Sequence, residues 1–451
     1  MRIVLPVHHF PPRYQAGAEL YTYRLARWLM RHAHAVDVIC IEAIDQGASD
    51  RLEARLDHYE QIPVWRLSFD LLRAKERRHW DFDNPLLGEW FANYLRQERP
   101  DLVHFQAGYL LGVAPLAAAA EAGIPIALTL HDYWFLCPRI TLLRGDGSLC
   151  ETIPDDAAGC GWCIRLESRR YRVPDRLTGG LLGATARQWW LDSDRDLYAE
   201  RRARLSAALK LPQAVIAPSR FLANRIAPCV APDRLFHVRF GFDLERFAPR
   251  ARVSARTLGL RSGQAVRFGF FGQIAPHKGV HLLIDAFRLL TPNGRPIELH
   301  IFGDLEARPA YARQLRRLAG GDHTIHFYGH IQASQIPERL ADLDVSVTPS
   351  VWYENAPLII QESHAAGLPV ITAALGGMAE LVRDGVDGLH FGANDAADLA
   401  RQMQRLIDEP DLLPRLQAGV TPPRSIDDEM EQLMRIYHRI LGMEPIAAAR
   451  P

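Results

Sequence analysis

Two glutamates, Glu354 and Glu362, stand eight positions apart in VSVTPSVWYENAPLIIQESHAAGLPVITA, one ahead of a helix and one inside it. Carboxylates accept hydrogen bonds from pairs of hydroxyls, which suits a sugar or a ribose. The stretch reads as a buried strand ending at Pro349 and Ser350, a loop with Glu354, and a helix with Pro357 in its first turn, closed by Gly367 and Pro369. A helix that starts at the carboxyl end of a parallel strand aims its first N–H groups, here around Asn355 to Leu358, and its positive dipole end at an anion such as a diphosphate. Glutamates so spaced also serve as solvated loop and helix charges, so their neighbourhood must decide.

That neighbourhood is built for phosphate. Strand VRFGFFG leads into QIAPHKGV, where Gly272 and Gly279 permit close backbone approach and Lys278 brings a cation to a strand's carboxyl end. Gly376 and Gly377 form another tight loop before a helix expected near Met378. Three such loops along one sheet edge point to a phosphate-bearing ligand.

The elements that must position these residues alternate β-branched runs with helical patterns, the signature of parallel sheets covered by helices. RIVLPV, AVDVICI, DLVHFQ, IPIALTL and QAVIAPS give one doubly wound domain; VRFGFFG, IELHIFG, TIHFYG, VSVTPS and PVITAA give a second. Leu20, Leu25, Trp28 and Leu29 are expected to pack the first helix on its sheet. The expected division is 1–240, 241–424 and a closing helical stretch, 425–451, that returns to the first domain. An Arg-, Gly- and Pro-rich linker falls in RFGFDLERFAPRARVSARTLGLRSGQA, and insertions fall at about 44–100 and 137–210. The length of 451 residues suits two domains, and two domains can enclose a cleft. Lys plus Arg and Asp plus Glu balance at 53 each, which argues against a nucleic-acid partner. No run of about eighteen apolar residues predicts a membrane span, and MRIVLPVHHF is too short an apolar start for a secretory signal, so a cytoplasmic location is expected.

The second half resembles the nucleotide-sugar domain of the family-4 retaining glycosyltransferases with the GT-B fold. The run that carries the likeness is Gly272 to Gly279, Gly303, Gly329, Pro349-Ser350, Glu354 through Glu362, Gly367 to Val370, Gly376-Gly377 and Glu380. The resemblance implies two Rossmann-like domains facing a cleft and a nucleoside-diphosphate sugar as donor. In its terms Glu354 faces the donor sugar, Glu362 binds the ribose hydroxyls and Lys278 binds the diphosphate. Where the family usually has arginine this chain has Gln273, which can donate a hydrogen bond but supplies no charge. A neighbouring arginine or Lys278 itself would have to make up for it.

The first half resembles the family more loosely. HHFPPRYQAGAE has Ala16 and Gly17 where two glycines are usual, with Gly17 at the turn into a helix that brings backbone close to donor phosphate and acceptor, and Glu19 near that helix's start. IPIALTLHDYW ends in His131, which by resemblance contacts the donor sugar near the reaction centre, followed by Asp132; His8 and His9 are secondary candidates. PSRFLANRI and FGFDLERFAP match the family's domain-joining pattern, with Phe240 in place of the usual asparagine.

Cys137, Cys150, Cys160 and Cys163 make C-x12-C-x9-C-x2-C, a candidate structural zinc site; free thiols and disulfides are the alternatives. Asp81/Asp83, Asp194/Asp196 and Asp342/Asp344 read as structural, so no catalytic metal is expected. The expected reaction moves a hexose-like sugar to a hydroxyl of a glycan, a lipid-linked sugar or a small molecule, with retention of configuration, as in polysaccharide biosynthesis. An epimerase, a phosphorylase or a non-catalytic carbohydrate binder on the same fold are the alternatives. Arg165 to Lys210 holds eleven basic and six acidic residues beside Trp189 and Trp190, which suggests a peripheral contact with the inner membrane face or, equally, a solvated helical insertion.

Overall fold

The computed structural model describes residues 1–189, 191–247 and 265–443. Most of the expected linker, Trp190 and the chain beyond 443 lie outside them. The chain forms two compact units, Met1–Val238 with the stretch from Met430, and Arg239–Glu429.

The first unit is built on eight strands: β1 (Arg2–Val7), β2 (Ala35–Ala43), β3 (Glu53–Tyr59), β4 (Ile62–Ser68), β5 (Leu102–Phe105), β6 (Ile126–Thr129), β7 (Ala214–Ala217) and β8 (Leu235–His237). Their order is β3-β4-β2-β1-β5-β6-β7-β8, parallel except for the β3–β4 hairpin. β5 to β7 are buried along their whole length, as strands covered on both faces should be. Helix Gly17–Arg31 packs through Tyr21, Thr22, Leu25, Ala26 and Leu29; Leu20 and Trp28 sit at the margin, so the buried stripe is rotated from the one expected. The stretch from Met430 buries Met430, Leu433, Ile436 and Tyr437, and the Tyr437 hydroxyl lies 2.6 Å from His104 Nδ1.

Residues 44–100 are not the irregular insertion expected. β4 pairs in parallel with β2, β3 folds back on it, and helix Pro85–Glu98 returns the chain to β5. β3, EARLDHY, was hidden because an edge strand keeps charged side chains in solvent and shows no apolar alternation. Residues 137–210 do interrupt the alternation, with helices Ala158–Arg165, Arg169–Leu177, Leu181–Trp189 and Asp192–Ala208 around a small apolar cluster of Ala158, Trp162, Leu166, Ala186 and Leu191. Among the described residues no helix is long and apolar enough to cross a membrane.

The second unit holds β9 (Val266–Phe271), β10 (Ile297–Phe302), β11 (Ile325–Gly329), β12 (Val345–Thr348), β13 (Val370–Ala373) and β14 (Gly388–Phe391), all parallel in the order β11-β10-β9-β12-β13-β14. Neither β8 nor β14 is among the strands expected from sequence; both have four residues or fewer.

Candidate functional site

Open parallel sheets bind ligands where strand order reverses, beyond the strands' carboxyl ends. In the second unit that point lies between β9 and β12, and the three expected loops meet around it. Gly279 has φ +73, and a Cβ there would stand 1.9 Å from the Pro349 carbonyl oxygen; only glycine lets the Lys278 loop touch the strand end. Val351 N–H donates to the His277 carbonyl at 2.9 Å, tying the same loops. A Cβ on Gly377 would lie 1.6 Å from the Asn355 carbonyl oxygen, and the Gly377 N–H donates to the Glu354 carbonyl at 2.8 Å.

Within this frame Lys278 Nζ lies 2.6 Å from Glu354 Oε1, and the same oxygen accepts from Ser350 Oγ at 2.8 Å and Trp352 Nε1 at 2.9 Å. Lys278 also sits over the Trp352 ring, 5.4 Å from its centre. Burial pushes the Glu354 carboxyl upward, but the Lys278 charge and the three donors outweigh it and hold the group below its ordinary value. Lys278 and Glu354, expected to address diphosphate and sugar separately, here satisfy each other. Ser350, named from sequence as the strand end and in the family likeness but given no role, and Trp352, not singled out, complete the set; their place ahead of Glu354 was the available signal. Burial, then the Lys278 charge, lowers His277 to about 4, leaving a neutral ring against Trp352.

Glu362 is buried in helix Leu358–Ala365, with Asn355 buried just ahead of it. That helix begins at Leu358, with Pro357 as its cap. The next begins at Gly376, two residues earlier than expected. Gln273 is exposed beyond Gly272. The exposed Arg308 is close enough for its charge to depress His277, the residue next to Lys278.

In the first unit the order reverses between β1 and β5. His8 and His9 follow β1, Gln106 follows β5, and His131 and Asp132 lie just past β6. Glu19, buried in the first turn of helix Gly17–Arg31, lies 3.2 Å from His8 Nε2. Burial raises the Glu19 carboxyl, and the His8 contact and charge reverse this, leaving it lowered. His131 Nε2 lies 3.2 Å from Gln106 Oε1, and its ring stands edge-on to Tyr21. Desolvation first, then the charges of His8, His104 and Arg24, push His131 down to about 3, so its imidazole is neutral at ordinary pH. Gln106 is fully buried and was not foreseen; only its position at a strand's carboxyl end could have marked it.

The secondary candidates have local tasks. Asp132 Oδ1 accepts the Trp134 N–H at 2.8 Å, and burial raises its carboxyl. His9 Nδ1 lies 2.8 Å from the Ile41 carbonyl, and the ring stacks on Tyr14. Gly17 is exposed, and a Cβ there would meet nothing within 4 Å, so the unit's own packing does not demand glycine. Asp194 is buried between Arg78 and Arg165, and Asp344 accepts the Arg267 N–H.

All six cysteines are free thiols. Cys137, Cys150, Cys160 and Cys163 line one cavity of about 490 Å³. Among the described residues no three His, Cys, Asp or Glu side chains stand close enough to hold a metal ion. The four cysteines expected as a structural zinc candidate thus share a cavity but do not stand as a formed ligand cluster. The thiols have local ties instead: Cys150 Sγ donates to the Thr152 carbonyl at 3.4 Å, and burial keeps Cys163 protonated, raised to about 11.

Comparison with known proteins agrees with this layout. Residues 16–246 match Glycosyltransferase Family 4, and residues 260–419 match Glycosyl transferases group 1. A D-inositol 3-phosphate glycosyltransferase of Thermomonospora curvata is 33% identical over 224 residues, 46% of this chain and 52% of that protein. One from Rhodococcus erythropolis is 34% identical over 277 residues, 57% of this chain and 59% of that protein. The chain thus spans about half the length of the curated relatives it matches. Among solved structures, sucrose-phosphate synthase from Thermosynechococcus elongatus superposes with TM-score 0.63 at 18% identity, covering 98% of this chain and 99% of that one. Anabaena HepE in complex with UDP gives 0.63 at 18%, covering 96% and 99%. These likenesses carry the fold, two parallel-sheet α/β units of the GT-B class. With the first match alone spanning just over half of its residues, the chain belongs to glycosyltransferase family 4.

Proposed function

We propose that the protein transfers a sugar from a nucleoside-diphosphate sugar to an acceptor hydroxyl, with retention of anomeric configuration and without a metal at the donor. The carrying observation is the Lys278–Glu354 pair held by three loops at the β9/β12 reversal. As the C1–O bond breaks, its electron pair passes to the diphosphate, and the Lys278 ammonium with the first-turn N–H groups of helix Leu358–Ala365 offsets the new charge. These groups do most where the charge is greatest, in the transition state. Arg308 supplies the second cation that Gln273 does not. Glu354 Oε1 carries the three donors named above, so Oε2 is assigned to the sugar hydroxyls, and Glu362 to the ribose. The neutral His131 set of the first unit is assigned to uncharged hydroxyl chemistry.

Names of relatives support the class. Curated relatives are D-inositol 3-phosphate glycosyltransferases, HepE has been crystallised with UDP-glucose, and Arabidopsis starch synthase IV with ADP and acarbose. The acceptor is assigned only as a hydroxyl of a glycan, a lipid-linked sugar or a small molecule. A lipid-linked acceptor is favoured by one surface: Leu177, Leu181 and Trp189 are 82%, 70% and 66% exposed beside Arg169, Arg170, Arg172 and Arg176. That pattern suits peripheral attachment to an anionic bilayer from the cytoplasmic side. Co-sedimentation with anionic but not neutral vesicles is expected; equal binding to both would count against charge attraction.

The test is a thermal-shift screen with uridine, guanosine and adenosine diphosphates, followed by transfer from the matching labelled sugars to candidate acceptors. Stabilisation by one diphosphate and a retained anomeric centre in the product are expected. Conversion of the donor without any acceptor would favour an epimerase and sink the transferase reading.

A further inference from the structure

We propose that Cys137, Cys150, Cys160 and Cys163 bind one zinc ion through four thiolates, fastening the loop that carries His131 and Asp132 to the helices of residues 158–208. This is a structural site with no open position, and it is independent of the transferase reading.

Four of the chain's six cysteines wall a single cavity, arriving from three separate pieces of backbone. Cys160 and Cys163 lie three apart on helix Ala158–Arg165 and so share a face. The backbones of Arg139 and Leu142 favour the thiolate form of Cys137, and that of Gly145 the thiolate form of Cys163, against the opposing effect of burial. Such backbone support is what metal-bound thiolates need around them. Gly145 is where the two pieces touch, since a Cβ there would stand 2.2 Å from the Cys163 carbonyl oxygen.

Charge gives a second, independent reason. The Arg201 guanidinium is only 4% exposed, its Nε has no hydrogen-bond partner, and among the described residues no ion pair holds it. Cys137 and Cys160 are among the groups whose charge it would feel. Arg202 reaches to 4.0 Å from the Cys160 sulfur. Asp81 is the first charge that Arg201 feels, and neutral thiols add none, so the buried cation is only partly compensated. Zinc would displace one proton from each of the four thiols and form four Zn–S bonds, leaving a doubly negative centre that Arg201, Arg202 and Arg139 can offset.

The site must close to work, because no three of these side chains yet stand close enough to hold one ion, and Zn–S bonds are only ~2.3 Å long. A cysteine sulfur moves between staggered positions by one rotation about Cα–Cβ. Closing the site would secure a segment whose own apolar cluster comprises five buried residues. It would also act on the first unit's site, because Cys137 N–H donates to the Tyr133 carbonyl at 2.8 Å and Arg201 to the Trp134 carbonyl at 2.6 Å.

The test is zinc content of the full chain, purified under reducing conditions without chelator and measured by plasma mass spectrometry, with mercurial-triggered release. About one zinc per chain is expected, lost in Cys160→Ser/Cys163→Ser. Chelation should lower the thermal midpoint while stabilisation by a nucleoside diphosphate persists, which separates this site from the donor reading. If the double variant fails to fold, cobalt(II) added to chelated wild-type protein should still give the spectrum of a tetrahedral thiolate site. Folded wild-type protein that carries no zinc and takes up none, zinc retained by the double variant, or an iron–sulfur chromophore would each overturn the proposal.

Discussion

Beyond β9 and β12 the second unit gathers an ammonium, a buried carboxylate and three loops whose backbones touch. Beyond β1, β5 and β6 the first unit gathers imidazoles, an amide and an aromatic ring, with Glu19 turned onto His8 and Asp132 onto the Trp134 N–H. Both reversal points come from the same doubly wound topology, so the difference lies in what the loops bring. A charged, glycine-welded nest suits an anion that gains charge during reaction. A neutral set suits hydroxyls, which need hydrogen bonds and no net charge.

The sharpest way to break this contrast is to remove charge from one side and hydrogen bonding from the other. Lys278→Ala is expected to lower kcat/KM by about 10²–10³-fold, the scale of losing one transition-state donor. His131→Asn should cost markedly less. The comparison fails if the His131 change is the larger in steady-state transfer assays. Because Lys278→Ala also strands a buried carboxylate, Lys278→Ala/Glu354→Gln should recover thermal stability without recovering activity.

Next in size is a pair of alanine substitutions. Gly377→Ala must place a Cβ against the Asn355 carbonyl and is expected to destabilise by about 1–3 kcal/mol in chemical denaturation. Gly17→Ala meets no neighbour and should stay within about 0.5 kcal/mol. If Gly17→Ala nevertheless removes activity, the glycine is kept for a ligand's approach, as the family resemblance implies.

Much of this contrast was legible in the sequence. Gly272, Lys278, Glu354 and Gly376-Gly377 follow one another in an order that only a strand-loop-helix repeat explains, and the second unit assembles them as that order suggests. Side-chain partnership was not legible. Nothing in linear spacing pairs Lys278 with Glu354, 76 positions apart, because that contact depends on β9 and β12 becoming neighbours. The β3–β4 hairpin was missed because EARLDHY lies at an edge and keeps its polar groups in water. Gln106 and Trp352 escaped because an amide and an indole gain their roles only from what folding places beside them.

Acid should weaken both units through their buried histidines. His131 and His104 in the first unit are both pushed down to about 3 by burial, whereas His277 in the second sits at about 4. A folded-state value below the unfolded one means the unfolded chain binds more protons between the two. Stability is then fully present above about pH 6.5 and falls as pH drops toward the folded value, by about 1.4 kcal/mol per pH unit for each such group. Glu354, also lowered, adds a loss in the second unit only below the ordinary carboxylate range. Burial also lowers His9 and His34 in the first unit and His281, His300 and His364 in the second, so unfolding from pH 7.5 to 5 with hydrogen exchange resolved by unit should show both units weakening, the first in part through His104. His104→Gln should flatten the first unit's slope, and an unchanged slope would remove His104 from the explanation.

The finest discrimination is within the nest itself. Trp352 gives Glu354 an N–H at 2.9 Å and gives Lys278 an aromatic face at 5.4 Å. Trp352→Phe keeps a face and deletes the donor, so its effect isolates the hydrogen bond. A bond to a charged acceptor is worth about 1.5–3 kcal/mol when fully buried, and Trp352 is only half-buried, so a several-fold loss in kcat/KM is expected. Trp352→Leu removes donor and face together and should cost more. If the two variants are equal, the ring contributes nothing to holding Lys278, and the ammonium is positioned by Glu354 alone. If Trp352→Phe matches wild type while Trp352→Leu does not, the indole acts through its face, and Ser350 with Lys278 suffices to hold the carboxylate.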